Sequence, residues 1–361
     1  MELQNFISNT PEYVKELKKN KVNVRTYSKL GLAIVKCYRN QDQDYDYEKQ
    51  PWIRYCRGAV INLKTNQLMC VPPLKASITE NLSEIISNYD NESEYQPLVE
   101  GTMINMFYHN DEWMISTRSN IGAKNSWDGK VPFYQMFLEV LGYEWFSELN
   151  KENCYSFVLC HKNNRIVTPV QENAIYLIEV YKMGNTIEKQ ELQTIPGIYN
   201  MINLSHDQLH SYDDNLYFSI KGFTIKNKDS RINWINPNYI HVRDLKMNYN
   251  DKFLNYIGLR QSRLLTEYLQ YFPEDQYEFN KYREEFNIIK QRLHESYLSH
   301  FVRKQKSVKE IEYPLRPLIF KLHEFYKKTN EVITIKVVSD YLHNLPGKKM
   351  LFIKNYLFKN N

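Results

Sequence analysis

Strand-like and helical periodicities occupy separate stretches of this chain, and that separation limits the fold more than any single motif. Phe279, Tyr282, Phe286, Ile289, Leu293 and Tyr297 recur at three- and four-residue steps, which puts them on one stripe of a helix from near Asp275 to near Phe301. Pro273 stands at its start, after a helix carrying Leu264, Leu265, Tyr268 and Leu269. Further helices are expected around 317–328, 334–345 and 348–358. Before Leu245 the pattern differs: TYSKLGLAIVKCY, CRGAVINLKTNQLMCVPP, GTMINMFYHNDEWMISTRS, CYSFVLCH, AIYLIEVYKM and NLYFSIKGFTIKNK are short β-branched or aromatic runs. Polar turns such as Lys64-Thr65-Asn66 and His109-Asn110-Asp111 separate them. Helical patches interrupt at 80–89 and at 132–149, where Phe133, Met136, Phe137, Val140 and Leu141 keep helical spacing. Strands mixed with helices, without regular βαβ alternation, predict an α+β domain over 1–248 and an all-helical domain over 249–361. A length of 361 residues, beyond the reach of one core, fits two domains.

No run approaches the roughly 18 to 20 apolar residues of a membrane span. The start MELQNFISNTPEYVKELKKN lacks the basic head and apolar centre of a signal peptide. No membrane partner is expected, and the expected location is intracellular, in the cytoplasm, for instance of an infected host cell. The five cysteines, Cys37, Cys56, Cys70, Cys154 and Cys160, show no CxxC or Cys/His spacing, so reduced buried thiols are expected rather than disulfides or zinc. Residues 251–361 hold 20 Lys+Arg against 13 Asp+Glu, and residues 1–250 hold 27 against 29. The basic excess in the last third, with Arg260, Arg263, Lys290, Arg303, Lys304 and Lys306, suits a phosphate backbone or a solvated surface equally. Phe107, Tyr108 and Trp113 are candidate base-stacking rings, although alternation on a strand puts at least one in the core. Cys160 and His161 adjoin, and strand alternation makes them a core cysteine and an edge histidine rather than a catalytic pair.

Covalent nucleotidyl transfer needs a lysine to attack the α-phosphate, acids for ribose and metal, and further cations for the phosphates. The chain resembles the phage-type RNA ligases and their viral relatives, members of the covalent nucleotidyltransferase superfamily, over an ordered series of segments. Arg57-Gly58-Ala59-Val60 with Val71-Pro72-Pro73-Leu74-Lys75 resembles the approach to the active site, and Leu98-Val99-Glu100-Gly101-Thr102 the nucleophile motif Lys-x-Asp-Gly-Ser. Ile115-Ser116-Thr117-Arg118-Ser119 resembles the strand that follows. Phe157-Val158-Leu159-Cys160-His161-Lys162-Asn163-Asn164-Arg165-Ile166-Val167 is similar to FELVxPENRIV, Lys221-Gly222-Phe223-Thr224-Ile225 to EGxVI, and 231–239 to the closing RxKxKxxxY.

The resemblance implies a strand-rich, ligase-type nucleotidyltransferase domain, and the departures from it fall on chemical positions. Leu98 stands at the nucleophile, Val158 at an acid expected to reach the ribose and Lys221 at the acid near the metal. Asn233 and Ile235 stand at the two lysines that would hold the triphosphate. Arg57, Gly58, Glu100, Gly101, Arg118, Asn164, Arg165, Gly222 and Tyr239 persist. The expectation is therefore a catalytically degenerate protein with no catalytic residues and no metal. Nucleotide, RNA ends or capped RNA would bind through Arg57, Gly58, Lys75, Glu100, Gly101, Arg118, Asn164, Arg165 and Lys221, and the helical domain would supply basic surface or a protein contact. Two other readings stand beside it. One is an active RNA ligase or guanylyltransferase relative with another nucleophile, for which Lys75 is the nearby lysine and which alone would require Mg²⁺ and ATP. The other is a protein–protein scaffold.

Overall fold

The computed structural model describes residues 1–38, 45–87, 90, 92–127, 130–142, 144–212, 216–227, 230–247, 249 and 251–358. The chain forms two compact units, Met1–Ile240 and His241–Asn361. In chain order the first unit runs α1 (Glu2–Asn9), α2 (Tyr13–Lys19), β1 (Val22–Tyr27), β2 (Leu32–Cys37), β3 (Arg57–Asn62), β4 (Gln67–Cys70), β5 (Ser77–Thr79), α3 (Leu82–Ser87) and β6 (Glu94–Pro97). It continues β7 (Thr102–His109), β8 (Glu112–Thr117), β9 (Asn120–Ile121), α4 (Phe133–Leu141), β10 (Asn153–Cys160), β11 (Ala174–Lys182), β12 (Glu188–Gln190), β13 (Tyr199–Asn200), α5 (His206–His210), β14 (Gly222–Lys226) and β15 (Arg231–Ile235). The unit boundary falls inside α6 (Pro237–Leu245).

Among the described residues the strands make three sheets, ordered β1-β2-β3-β4, β12-β11-β10-β7-β8-β9 with β13 beside β11, and β5-β15-β14-β6. The β7–β8 hairpin turns on Asn110 and Asp111, both at positive φ (50° and 62°), as a two-residue turn matching strand twist requires. Central β10 is flanked on both edges and buried along nearly its whole length, which accounts for the continuous apolar run CYSFVLC. Tyr155, Phe157 and Leu159 on one side of it pack with Phe133, Met136, Phe137 and Leu141 of α4. On the other side Cys154 joins the core of the first sheet, with Phe107 and the buried Cys37, Cys56 and Cys70. All five cysteines are free thiols. The small sheet buries Phe223 and Trp234 against Leu82, Ile85 and Leu209 of α3 and α5. The patch read at 132–149 divides: α4 ends at Leu141, capped by Gly142, and a 3-10 turn follows over Glu144–Glu148. Tyr89, at the end of the patch read at 80–89, lies outside the described residues.

The second unit is helical: α7 (Lys252–Ser262), α8 (Leu265–Tyr271), α9 (Gln276–Tyr297), α10 (Arg316–Thr329), α11 (Ile335–His343) and α12 (Gly347–Phe358). The α9 stripe from Phe279 to Tyr297 is buried as its spacing requires, and a π-turn, Leu298–Val302, extends it. Asp251 caps α7 by accepting from the amides of Phe253 and Leu254. Strand-rich first unit and helical second unit make the α+β class read from the sequence. No helix among the described residues is long and apolar enough to cross a membrane.

Candidate functional site

Residues 98–101 form a short strap that carries the chain from the small sheet, at the end of β6, into β7 of the large one. Its attachments come from three directions. The Leu98 amide donates to the Gly222 carbonyl at 2.8 Å, prolonging the β6–β14 ladder. Lys221 Nζ donates to the Val99 carbonyl at 3.2 Å. The Cys160 thiol at the end of β10 donates to the Glu100 carbonyl at 2.9 Å. The Glu100 carboxylate accepts from the amides of Val167 (2.9 Å) and Thr168 (3.1 Å), and Asn164 Nδ2 donates to Thr102 Oγ1 at 2.9 Å. At Gly101 the strap presses on β10: a Cβ there would overlap the Leu159 carbonyl oxygen and lie 2.6 Å from Val158 Cγ1. The motif's glycine is thus required by close approach of two backbones.

The positions at which the resemblance implies chemical groups lie in and around this strap. Leu98 is half-buried, and Val158, 8% exposed, packs under Gly101 in the place of an acid. Asn233 and Ile235 lie on β15, opposite Thr224 and Gly222. The Asn233 Oδ1 is enclosed with no hydrogen-bond partner among the described residues. Burial and the Glu100 charge push the Cys160 thiol up to about 11, with Lys221 pulling the other way, so this thiol is no nucleophile near neutral pH. The alternation argument for its neighbour fails. Cys160 is half-exposed while His161 is 1% exposed, because the strand ends there and His161 turns inward to accept from the Asn163 amide. Its Nε2 lies 3.3 Å from Glu139, outside hydrogen-bond geometry.

Arg57, Gly58, Lys75 and Arg118 form a second group. Gly58 (φ +114°) lies against the Arg118 backbone, where a Cβ would come within 2.8 Å of its Cα, and Arg118 Nη2 donates to the Cys37 carbonyl at 3.0 Å. Arg57 pairs across the sheet with Lys36. The Lys75 amide donates to the Arg54 carbonyl, and Lys75 Nζ donates to the Tyr47 hydroxyl at 2.7 Å, 4.4 Å from its ring centre. Arg54 lies over the same ring at 5.9 Å. Arg165, read as a phosphate ligand, turns back on its own loop and donates from Nε to the Val167 carbonyl. Of the candidate stacking rings, Phe107 is core, and Trp113 meets Tyr108 edge-on and donates to the Phe146 carbonyl. Two surface hollows, one lined by Pro11, Tyr13 and Lys18 and the other by Gln4, Thr65 and Asn66, include none of these residues.

Sequence reading missed a buried charge cluster between the sheets. Arg231 Nη1 lies 2.9 Å from Glu179 of β11, Lys226 Nζ 3.8 Å from the same carboxylate and 3.3 Å from the Ile178 carbonyl, and the Tyr181 hydroxyl donates to Glu179 at 3.1 Å. Burial lowers the Lys226 ammonium to about 8 despite Glu179. Glu179, a charged residue inside the apolar run AIYLIEVYK of β11, was a sign of it in the sequence. The residues also do not fit a divalent cation: the position expected to supply an acid is Lys221, and among the described residues no three His, Cys, Asp or Glu side chains converge.

No protein-family model matches the chain. A stretch of 175 residues is 27% identical to a protein of Autographa californica nuclear polyhedrosis virus that carries the provisional name bifunctional polynucleotide kinase/RNA ligase. The match covers 43% of this chain and 24% of that protein, so the chain spans about a quarter of its relative's length. An archaeal ATP-dependent RNA ligase superposes over 78% of this chain and 77% of its own, at 13% identity and a TM-score of 0.46. A DNA ligase of Aquifex aeolicus, provisionally named ATP-dependent, does so over 97% and 81%, at 12% identity and 0.45. These superpositions are loose, and the weight of the comparison lies in the viral sequence. Over the 175 matched residues the chain is RNA-ligase-like in sequence.

Proposed function

We propose that the protein is a non-ligating relative of RNA ligases that holds a nucleotide, an RNA end or a capped RNA end at the remains of the nucleotidyl-transfer site, without a covalent intermediate. The observation that carries this is the strap. Its backbone is fixed at every residue from Leu98 to Thr102, yet its first side chain is a leucine, which has no lone pair for an α-phosphate. Lys221 supplies a fixed cation where a carboxylate would hold metal. Arg57, Lys36, Arg118, Arg54 and Lys75 supply charge of the sign that phosphate needs. Lys75, the alternative nucleophile, has its amine engaged by the hydroxyl and ring of Tyr47. Incubation with radiolabelled ATP or GTP and Mg²⁺, followed by a denaturing gel, is expected to leave the chain unlabelled, while titration calorimetry detects nucleotide or 5′-phosphorylated RNA binding that EDTA does not change. A labelled chain overturns the reading in favour of an enzyme, and no binding at all overturns it in favour of a scaffold.

A further inference from the structure

On α10 the residues Phe320, His323 and Tyr326 follow one another at three-residue steps, beside the buried stripe of Leu318, Ile319 and Leu322. A solvated helix places polar groups there. Phe320 is 48% exposed and Tyr326 37%, so these rings are spent on the surface instead of the core. They are joined to the π-turn at the end of α9. Phe301 lies face to face with His323, ring centres 3.9 Å apart and planes 12° apart. Phe320 meets Phe301 edge-on at 5.5 Å, His300 meets Phe301 at 4.6 Å, and Tyr326 runs nearly parallel to His323 at 5.9 Å. The His323 Nδ1 is enclosed and makes no hydrogen bond among the described residues.

The rim of this surface is basic. Residues 297–330 contain eight Lys+Arg and three Asp+Glu. Glu324 is bound by Lys321 and Lys328, and Arg303 by Glu295. Lys304, Lys306 and Lys327 are exposed and, among the described residues, have no carboxylate at ion-pair distance. An apolar protein helix would match the rings but not the rim. Planar bases joined by phosphates match both.

We infer that the Phe301–His323–Phe320–Tyr326 surface is a stacking site for the unpaired bases of a single-stranded nucleic acid, whose phosphates follow Lys304, Lys306 and Lys327. The site uses no residue of the strap or of the Arg57 group, so it goes beyond the cleft reading and can fail independently of it. The test is fluorescence anisotropy of the full chain with a labelled single-stranded oligo(A) or oligo(U) RNA, against a blunt duplex of equal charge. The wild type is expected to prefer the single strand. Phe320→Ala/Tyr326→Ala should weaken single-strand binding by about ten-fold or more and leave nucleotide binding unchanged, with circular dichroism at the assay temperature checking that the variant stays folded after losing its ring contacts. Tyr326→Trp should retain affinity and show indole quenching on binding. Lys304→Ala/Lys306→Ala/Lys327→Ala should reduce the slope of log K against log[salt] by about 2. Equal binding of single strand and duplex, undiminished binding by the double variant, or no binding of either RNA overturns the proposal. So does a wild type that self-associates through this face in sedimentation, with the double variant monomeric.

Discussion

A lysine in place of a metal-binding acid reverses the charge beside the start of β14, and a cation so placed must find an oxygen. Lys221, expected among the nucleotide- or RNA-binding residues, also donates from its amine to the Val99 carbonyl. That bond makes it a brace on the strap as well as a charge. Lys221→Met should therefore destabilise the fold by about 1–3 kcal/mol, the range for a hydrogen bond from a charged donor, read as a lower urea midpoint at unchanged slope. A surface lysine with no such role would cost near nothing. Leu98→Lys alone should restore no covalent nucleotide adduct on a denaturing gel, because Val158, Lys221, Asn233 and Ile235 leave ribose, metal and phosphates without their groups. Adduct formation by this variant would show that the surrounding positions were never lost. Residue identities could show that Leu98 stands where the resemblance implies a lysine, since one letter in a motif suffices. They could not reveal the Lys221–Val99 bond, which joins positions 122 apart, nor the inversion at Cys160 and His161, where the strand ends one residue earlier than alternation assumes.

At the scale of elements, the strap behaves as a keystone between β6, β7, β10 and β14. Gly101→Ala would force a methyl group against the Leu159 carbonyl and the Val158 side chain, both on buried β10, which cannot yield cheaply. A loss of about 1–3 kcal/mol is expected from such overpacking, measured beside Gly184→Ala, whose nearest neighbour would be at 3.8 Å and which should be close to neutral. Equal midpoints for the two would mean that the strap adapts freely. Elements of this kind were legible where one local rule governs: the α9 stripe and the Asn110-Asp111 hairpin turn. The length of α4 was not, because apolar spacing continues past the glycine that ends the helix. Nor was the platform on α9 and α10. The steps Phe320, His323, Tyr326 were visible, but only the burial of the adjoining stripe shows that they face outward.

For the molecule as a whole, buried carboxylates with cationic partners occur in both units, Glu179 in the first and Asp275 and Glu285 in the second. The Glu179, Arg231 and Lys226 cluster ties the large sheet to the small one, and its cost is pH-dependent. Lys226 is lowered to about 8 in the fold from about 10.4 in an unfolded chain, so the folded state is penalised for holding its proton below about pH 8. As pH rises from about 8 to 10.4 the unfolded chain binds more protons than the folded one, and this group's contribution to stability increases. Lys226→Met removes that rise while Arg231 still partners Glu179. Urea midpoints at pH 7.5 and 9.5 should therefore shift in favour of the wild type relative to the variant, by on the order of 1–2 kcal/mol. The comparison cancels the tyrosines and other cysteines that titrate in the same window, and parallel shifts would remove Lys226 from the account. The strap has a consequence of another kind, in how the molecule exchanges its hydrogens with solvent. The Leu98 amide is held by the Gly222 carbonyl, and those of Val167 and Thr168 by the Glu100 carboxylate of the strap. In deuterated buffer the Leu98 amide, which prolongs the β6–β14 ladder, should exchange among the slowest in residues 1–240, and those of Val167 and Thr168 more slowly than the exposed loop amides around them, which would make the strap one of the stillest parts of its domain.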